Sequence, residues 1–376
     1  MRKILVMPDS FKGTMSSMEA CEIIKSAIGA VDQTIEVRNI PIADGGEGSV
    51  ECFLAAIGGE KVNKVVTGPD NEPIDSFYGL IENGNTAVIE MASCAGLPLT
   101  KLKNPEKTTT YGVGELINLA IAKGVRKIIL ALGGSATNDC GTGMLAALGV
   151  KFFDGKGKEF LPTGGTLSQI KDIDINNLKE RLKGVTFTAM CDIDNPLTGE
   201  RGASYIFSPQ KGADKDMVLR LEKNVEDFSS LCKKRNLCKE INFEGAGAAG
   251  GMGFAAKYFL GSDIIMGIEA VLDAVKFDDI LTDTDLIISG EGRLDSQTLR
   301  GKVVAGIAKR AKEKNVPLIA VVGDVGDNFQ GIYDRGVTAV FSINRVALPY
   351  QEIKLRAKKD LFDTVFDIMK LIKANI

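Results

Sequence analysis

The sequence predicts an α/β protein built on a doubly wound parallel sheet, with a second α/β domain of mixed sheet inserted into it. Short apolar runs that end in Gly or Asp open the chain and return near its end, as expected of strands buried on both faces. Helix-spaced apolar stripes separate these runs, the alternation that builds parallel sheets. Between the two groups lies a long stretch with an antiparallel pattern, which marks a different domain. The predicted boundaries are 1–61 with 265–376 for the discontinuous first domain and 62–264 for the insertion, a topology allowed because insertions sit in surface loops.

Residues 2–7, RKILVM, form the first strand and run into Pro8, Asp9, Ser10, Phe11, Lys12 and Gly13. Ser16 and Glu19 have capping-box spacing, and Met18, Cys21, Ile24 and Ile28 give the following helix an apolar stripe. Residues 35–40 alternate as a second strand that ends at PIADGGEGS, before a helix containing Val50, Phe53, Leu54 and Ile57. The runs DSFYGLI and TAVIEMA are separated by Glu82, Asn83, Gly84 and Asn85, and the Asn-Gly pair signals a hairpin. A helix at 113–123 feeds a strand at 128–132, and VTFTAMC at 185–191 is another. Residues 214–235 read as an amphipathic helix leading to GAGAAGGMG. The parallel pattern returns with strands at 285–290, 317–323 and 338–344, closed by a helix with Leu361, Val365, Ile368 and Ile372 on one stripe.

Composition narrows the function. Lys and Arg number 46 against 49 Asp and Glu, and the longest basic cluster is Lys233, Lys234 and Arg235, so no nucleic-acid surface is indicated. The apolar run Ile4–Met7 is too short for a signal-peptide core and no stretch reaches membrane-spanning length, so no membrane partner and a cytoplasmic location are expected. Seven cysteines without a C-x-x-C pair suit a reducing compartment. The chain has no histidine, which argues against a zinc site and leaves Asp, Glu, Lys, Tyr or Cys as any general base.

Residues 126–149, RKIILALGGSATNDCGTGMLAALG, read as strand, anion loop and helix. Gly133 and Gly134 let the backbone approach a ligand, Ser135, Thr137 and Asn138 offer polar groups, and the N–H groups opening the helix favour an anion. Ligands of open parallel sheets collect at the carboxyl ends of strands. There the sequence places Asp9, Ser10 and Lys12, then Asp44 and Glu47, then Glu291, Arg293 and Asp295 in a loop with Lys302, and finally Asp324. Mixed carboxylates and cations suit phosphoryl transfer, in which carboxylates hold Mg²⁺, cations neutralise phosphates and a base accepts a hydroxyl proton. In CDIDNP, Asp192 and Asp194 lie two apart and share a side of an extended chain. GAGAAG matches a dinucleotide fingerprint with Asp263 at a suitable distance, yet its lead-in KEINFE is charged where a buried strand should be apolar, so a phosphate-binding or helix-packing role is expected instead. Neither a Walker loop nor a protein-kinase catalytic loop is present.

Taken together, PDSFKG, PIADGGEG, TTTYGVGEL, GGSATNDCGTGMLAALG, CDIDNPLTGERGAS, FSPQKGA, GAGAAGGMG and GEGRLDSQTLRGK resemble the ordered signature blocks of the bacterial type 1 glycerate kinases. The resemblance runs from residue 4 to about residue 345, and Cys140 stands where the family pattern often carries Gly. It implies a flavodoxin-like domain with a second α/β domain inserted, and ATP- and Mg²⁺-dependent phosphorylation of D-glycerate, in most of the family at the 2-hydroxyl. Phosphorylation at the 3-hydroxyl is the alternative, and a homodimer is compatible with it. An NAD-dependent hydroxy-acid oxidoreductase, resting on GAGAAG alone, and a non-enzymatic small-ligand sensor are the competing classes.

Roles inferred from the chemistry give Asp192 as the base, with Asp44 as its competitor and Lys12 as a catalytic cation. Ser10, Gly133, Gly134, Ser135, Thr137, Asn138, Arg293 and Lys302 are expected to bind substrate or phosphate. Asp194, Glu291 and Asp295 are expected at the metal.

Overall fold

The structure, a computed structural model, describes residues 1–374 except Lys12, Asp44, Ser296, Gln297 and 299–301. Strands β1 (Lys3–Pro8) and β2 (Glu36–Asn39) come first. They are followed by β3 (Glu60–Thr67), β4 (Pro73–Ile81), β5 (Thr86–Glu90), β6 (Lys127–Ala131), β7 (Lys151–Phe153), β8 (Asp172–Asp174), β9 (Thr186–Met190) and β10 (Asp263–Ile265). The chain then returns with β11 (Leu286–Leu294), β12 (Leu318–Val325) and β13 (Val337–Ser342). It divides into two compact units, Met1–Asp44 with Ala55–Ile57 and Ile268–Ile376, and Gly45–Leu54 with Gly58–Gly267. Among the described residues no helix is long and apolar enough to cross a membrane.

The first unit holds a sheet in the order β2-β1-β11-β12-β13, parallel throughout, which is the flavodoxin-like order. The helix α1 (Ser17–Val31) and the final helix Tyr350–Ala374 cover one face, packing Ile24, Ile28, Leu361 and Val365 on Ile4, Val6, Leu286, Ile288 and Val321. Leu5 and Met7 are fully buried too, so both faces of β1 are covered. At the start of α1 the capping box forms as expected: Ser16 Oγ accepts from the Glu19 N–H at 3.2 Å, and a Glu19 carboxylate oxygen accepts from the Ser16 N–H at 2.9 Å. Met18 differs from the expectation, because the buried stripe of α1 runs through Ala20, Cys21, Ile24, Ala27 and Ile28 and leaves Met18 at the surface.

A larger difference concerns Glu291 and Arg293. The sequence places both in a loop, but β11 continues to Leu294 because its outer half pairs with β12, Glu291 opposite Val322 and Arg293 opposite Asp324. The carboxylate and the cation are therefore held by a sheet ladder.

The second unit carries a six-stranded mixed sheet in the order β10-β9-β6-β5-β4-β3. Strands β3 to β5 pair antiparallel, and the pairs from β5 to β10 are parallel. The turn between β4 and β5 places Asn83 and Gly84 at φ of 56° and 83°, the left-handed conformation that makes Asn-Gly a hairpin signal. The ribbon β7–β8 and the short edge strand β10 have no counterpart in the sequence reading, since three residues are too few to show a period. The sequence places 1–61 and 265–376 in the first domain, whereas Gly45–Leu54 and Gly58–Gly267 form the second unit. The start of α2 (Ser49–Ile57) is tied there by the Glu90 carboxylate, which accepts from the N–H groups of Gly48 at 3.3 Å and Val50 at 2.6 Å.

GAGAAG does not follow a strand and does not form a dinucleotide turn. Ala249, Gly250 and Gly251 have φ of 52°, 68° and 91°, kinking the helix Ala248–Phe259 where it meets the Gly133–Cys140 loop. Cys140 N–H donates to Gly250 O at 3.0 Å, and a Cβ on Gly250 would stand 2.0 Å from Thr137 O. Close packing of two backbones thus accounts for Gly250 and Gly251. Gly250→Ala should cost about 3 kcal/mol or more through the clash and the left-handed backbone. Gly29→Ala in α1, where a Cβ meets nothing within 4 Å, should stabilise by roughly 0.5–1 kcal/mol. Urea unfolding midpoints measured at equal slope test both signs.

Candidate active site

The chemistry-bearing residues form one group in each unit. In the second unit the group is organised by Asp139, fully buried at the end of the glycine-rich loop. Its carboxylate accepts from Thr110 N–H at 2.9 Å, Thr110 Oγ1 at 2.8 Å, Gly141 N–H at 3.1 Å and Gly143 N–H at 3.2 Å. Burial raises its pKa from the ordinary value, against the pull of these four bonds. The N–H groups opening the helix Thr142–Ala147, which the sequence offered to an external anion, are thus filled by the protein's own carboxylate. Glu90 does the same for α2, and burial pushes its carboxyl up to about 7.

The loop itself is anchored mostly through its carbonyls. Gly134 O accepts from Leu97 N–H at 2.9 Å, Ala136 O from Thr108 Oγ1 at 2.9 Å, Thr137 O from Lys211 Nζ at 2.6 Å and Asp139 O from Thr142 Oγ1 at 2.8 Å. Gly133 N–H donates to Gly45 O and Ala136 N–H to Ala95 O. Among the described residues the N–H groups of Gly134, Ser135, Thr137 and Asn138 have no acceptor, nor has the buried Thr137 hydroxyl a partner. The free amides form two pairs, Gly134–Ser135 and Thr137–Asn138, on either side of the engaged Ala136, and Gly134 is left-handed at φ 80°. Gly134 is also the exposed residue of this loop. Asn138 is buried, its amide donating to Ser204 Oγ at 3.3 Å and its carbonyl oxygen accepting from Ser208 Oγ at 3.1 Å. Cys140 takes φ of 51°, the conformation that explains a Gly preference at this position.

Lys211, which sequence reasoning did not single out, belongs to this group. It is 2% exposed, and its ammonium donates to Ser135 Oγ at 3.0 Å and Thr137 O at 2.6 Å. Burial lowers its pKa to about 7, with Asp139 acting in the opposite direction. Its one sequence signal was its place in FSPQKGA, between a proline turn and a left-handed Gly212. Asp192 directly follows β9, is half-buried, and its Oδ1 accepts from Gly267 N–H at 2.7 Å. Asp194 is exposed, with Arg201 Nη2 3.2 Å from both of its oxygens.

In the first unit the group lies at the carboxyl ends of β1, β11 and β12. Glu291 is 5% exposed and accepts from Thr298 Oγ1 at 2.9 Å. Burial pushes it up to about 7; Thr298 and Lys302 pull it down, and Asp9 and Asp295 add to the rise. Ser10 N–H donates to Asp9 Oδ1 at 2.6 Å. Arg293 is exposed, with its Nε 3.6 Å from Asp295 and 3.7 Å from Asp324. Among the described residues no cluster of three or more His, Cys, Asp or Glu could cage a metal. Glu291, interacting with Asp9 and Asp295, still fits a Mg²⁺ carried on nucleotide phosphates, which needs only one or two protein carboxylates. Lys12 and Asp44 lie outside the described residues.

A flavodoxin-like sheet with carboxylates and cations at its strand ends, together with a glycine-rich loop in a mixed-sheet unit, is the arrangement of an α/β enzyme for small molecules. The model of the glycerate kinase family matches residues 4–373. The chain is 44% identical to a glycerate kinase of Bacillus subtilis (strain 168) over 99% of its own length and 98% of that protein. It is 41% identical to a glycerate 2-kinase of Escherichia coli (strain K12) over 91% of its length and 90% of that protein. Its fold matches a crystal structure described as a glycerate kinase 2 from Salmonella typhimurium LT2 with a TM-score of 0.87 and 38% identity, covering 100% of this chain and 99% of that one. The chain belongs to the glycerate kinase family.

The two buried glutamates predict a pH signature. Glu90 ordinarily titrates near 4.5 and in the folded protein near 7, so between these values the native state holds a proton that the unfolded chain has released. Its contribution to stability is therefore present below 4.5 and is lost as pH rises through 7. Glu90→Gln should flatten the fall in denaturant midpoint between pH 5 and pH 7.5 relative to the parent protein. An unchanged slope would assign that fall elsewhere.

Proposed function

We propose that this chain transfers the γ-phosphoryl group of ATP to D-glycerate at the 2-hydroxyl, giving 2-phosphoglycerate and ADP. The observation that carries the reading is the near full-length similarity to a protein named glycerate 2-kinase. Free cysteines throughout suit the reducing cytoplasm in which such an enzyme would work.

The amides of Gly134, Ser135, Thr137 and Asn138 would receive an oxyanion, either a nucleotide phosphate or the glycerate carboxylate. Lys12, Arg293 and Lys302 would neutralise phosphate charge, with Ser10 as a further donor. Mg²⁺, when bound, supplies charge neutralisation on the phosphates; Glu291 and Asp295 would hold it, with Asp194, which is paired with Arg201, as a further candidate. The acceptor hydroxyl must give its proton to a carboxylate, and a loose transition state asks little basicity of it. Asp192 has its orientation fixed through Oδ1, and Asp44 is the competitor.

Coupled detection of ADP with D-glycerate as acceptor, followed by phosphorus NMR of the product, tests the reaction. A 2-phosphate is expected; a 3-phosphate would move the acceptor position, and ATP turnover indifferent to glycerate would sink the reading. Asp192→Asn keeps an oxygen for the Gly267 N–H, so the fold should survive while kcat falls by roughly 10²- to 10⁴-fold and ATP binding stays close to wild type. Near-normal kcat in that variant, with loss in Asp44→Asn, would transfer the role to Asp44. Glu291→Gln should raise the Mg²⁺ concentration needed for half-maximal rate, read from a metal titration at saturating ATP.

A further inference from the structure

Lysine is seldom buried, because its charge loses hydration that few partners can replace. Lys211 is nevertheless almost fully buried, and both acceptors of its ammonium lie in one short segment of chain. Ser135 Oγ and Thr137 O accept from its ammonium, and Asp139 is the charged group that acts on it. Residues 135, 137 and 139 are spaced two apart, so one lysine engages alternate positions of the loop whose amides are left unengaged. The third N–H of its ammonium has no acceptor among the described residues. An apolar side chain of similar length could fill the same space without the burial cost, so packing alone does not account for a cation here.

We propose that Lys211 is a positioning residue for phosphoryl transfer: it holds Ser135 and Thr137 so that the Gly133–Asn138 loop presents its amides to an oxyanion of the substrate, and its charge reinforces that site. This rests on the reading of the loop as part of the kinase site. A loop whose carbonyls are bound and whose amides are unengaged keeps its ligand geometry only while the carbonyl anchors hold, and an error of about 1 Å there costs on the order of 100-fold in rate. Among the described residues Lys211 is the one side chain that both anchors a loop carbonyl and brings charge. Burial brings it down to about 7, so its charge is present below neutrality and is lost above it, weakening oxyanion binding as pH rises.

The test is steady-state kinetics of Lys211→Met and Ser135→Ala, with concentrations of folded enzyme set by near-UV circular dichroism and thermal melting. In Lys211→Met the KM for whichever of ATP and glycerate occupies the loop should rise at least about tenfold, and the other KM should change less than about threefold. Ser135→Ala should shift the same KM in the same direction by a smaller factor. For that substrate the parent enzyme should show kcat/KM falling as pH rises through about 7 to 8, and Lys211→Met should lack this limb, whereas ionisations of Glu90 and Glu291 would persist in both. A variant that melts lower but keeps both KM values and the full pH profile would overturn the proposal and leave Lys211 a structural residue. Should Lys211→Met not fold, Ser135→Ala with unaltered KM values, or a parent profile without the falling limb, overturns it equally. Failure of the parent enzyme to phosphorylate glycerate would instead count against the kinase reading, and that assay is run first.

Discussion

The second unit depends on a carboxylate with no access to water. Burying an ion that size is tolerable only if its lone pairs are fully engaged, and Asp139 achieves this with four donors drawn from Thr110, Gly141 and Gly143. Those bonds draw the Thr108–Thr110 segment, the glycine-rich loop and the following helix onto one point. Thr110 Oγ1 in turn accepts from Met144 N–H at 2.9 Å, so the same hydroxyl serves both partners. Removing the carboxylate would release three chain segments at once.

Filling the helix start from inside changes where an external anion can bind. The sequence suggested the opening of the helix Thr142–Ala147, by the ordinary argument from free N–H groups. With Asp139 there, and Glu90 at the start of α2, both helix starts are already neutralised. The remaining unengaged amides lie upstream, in Gly134–Asn138, and the nearby positive charge comes from Lys211. Sequence pattern could not tell which amides of the loop are bonded, because Gly133 and Ala136 donate to the carbonyls of Gly45 and Ala95, both distant in sequence.

The fold was more legible than the site for a physical reason. Buried parallel strands need apolar residues at every position, so runs such as KIILA and LIIS stand out, and an Asn-Gly turn has few alternatives. Where an element is defined by a partner strand, the signal is weak. GEGRL is polar and glycine-rich yet belongs to β11, because β12 supplies the ladder, and β10 consists of three residues whose identity as strand is set by β9. Candidate site residues were legible as types at strand ends; their ionisation was not. Glu291 and Lys211 look like ordinary surface charges in sequence, and only burial distinguishes them from Arg293, which is exposed between two aspartates.

A chain without histidine must obtain groups that titrate near neutrality by burying others, and here burial moves two carboxyls up and one ammonium down to about 7. The signs of their effects on stability differ. From 4.5 to 7 the native state retains protons on Glu90 and Glu291 that the unfolded chain has released, so stability falls as pH rises. From 7 to 10.5 the unfolded chain keeps a proton on lysine that native Lys211 has lost, so stability rises with pH. The two slopes meet near neutrality, where all three groups are partly charged and their combined contribution to stability is at its lowest. Groups chosen for stability would be placed the other way round, with carboxyls below and lysine above their ordinary values. Glu291 and Lys211 lie among the candidate site residues, where burial at a cost to stability is a common feature of functional groups.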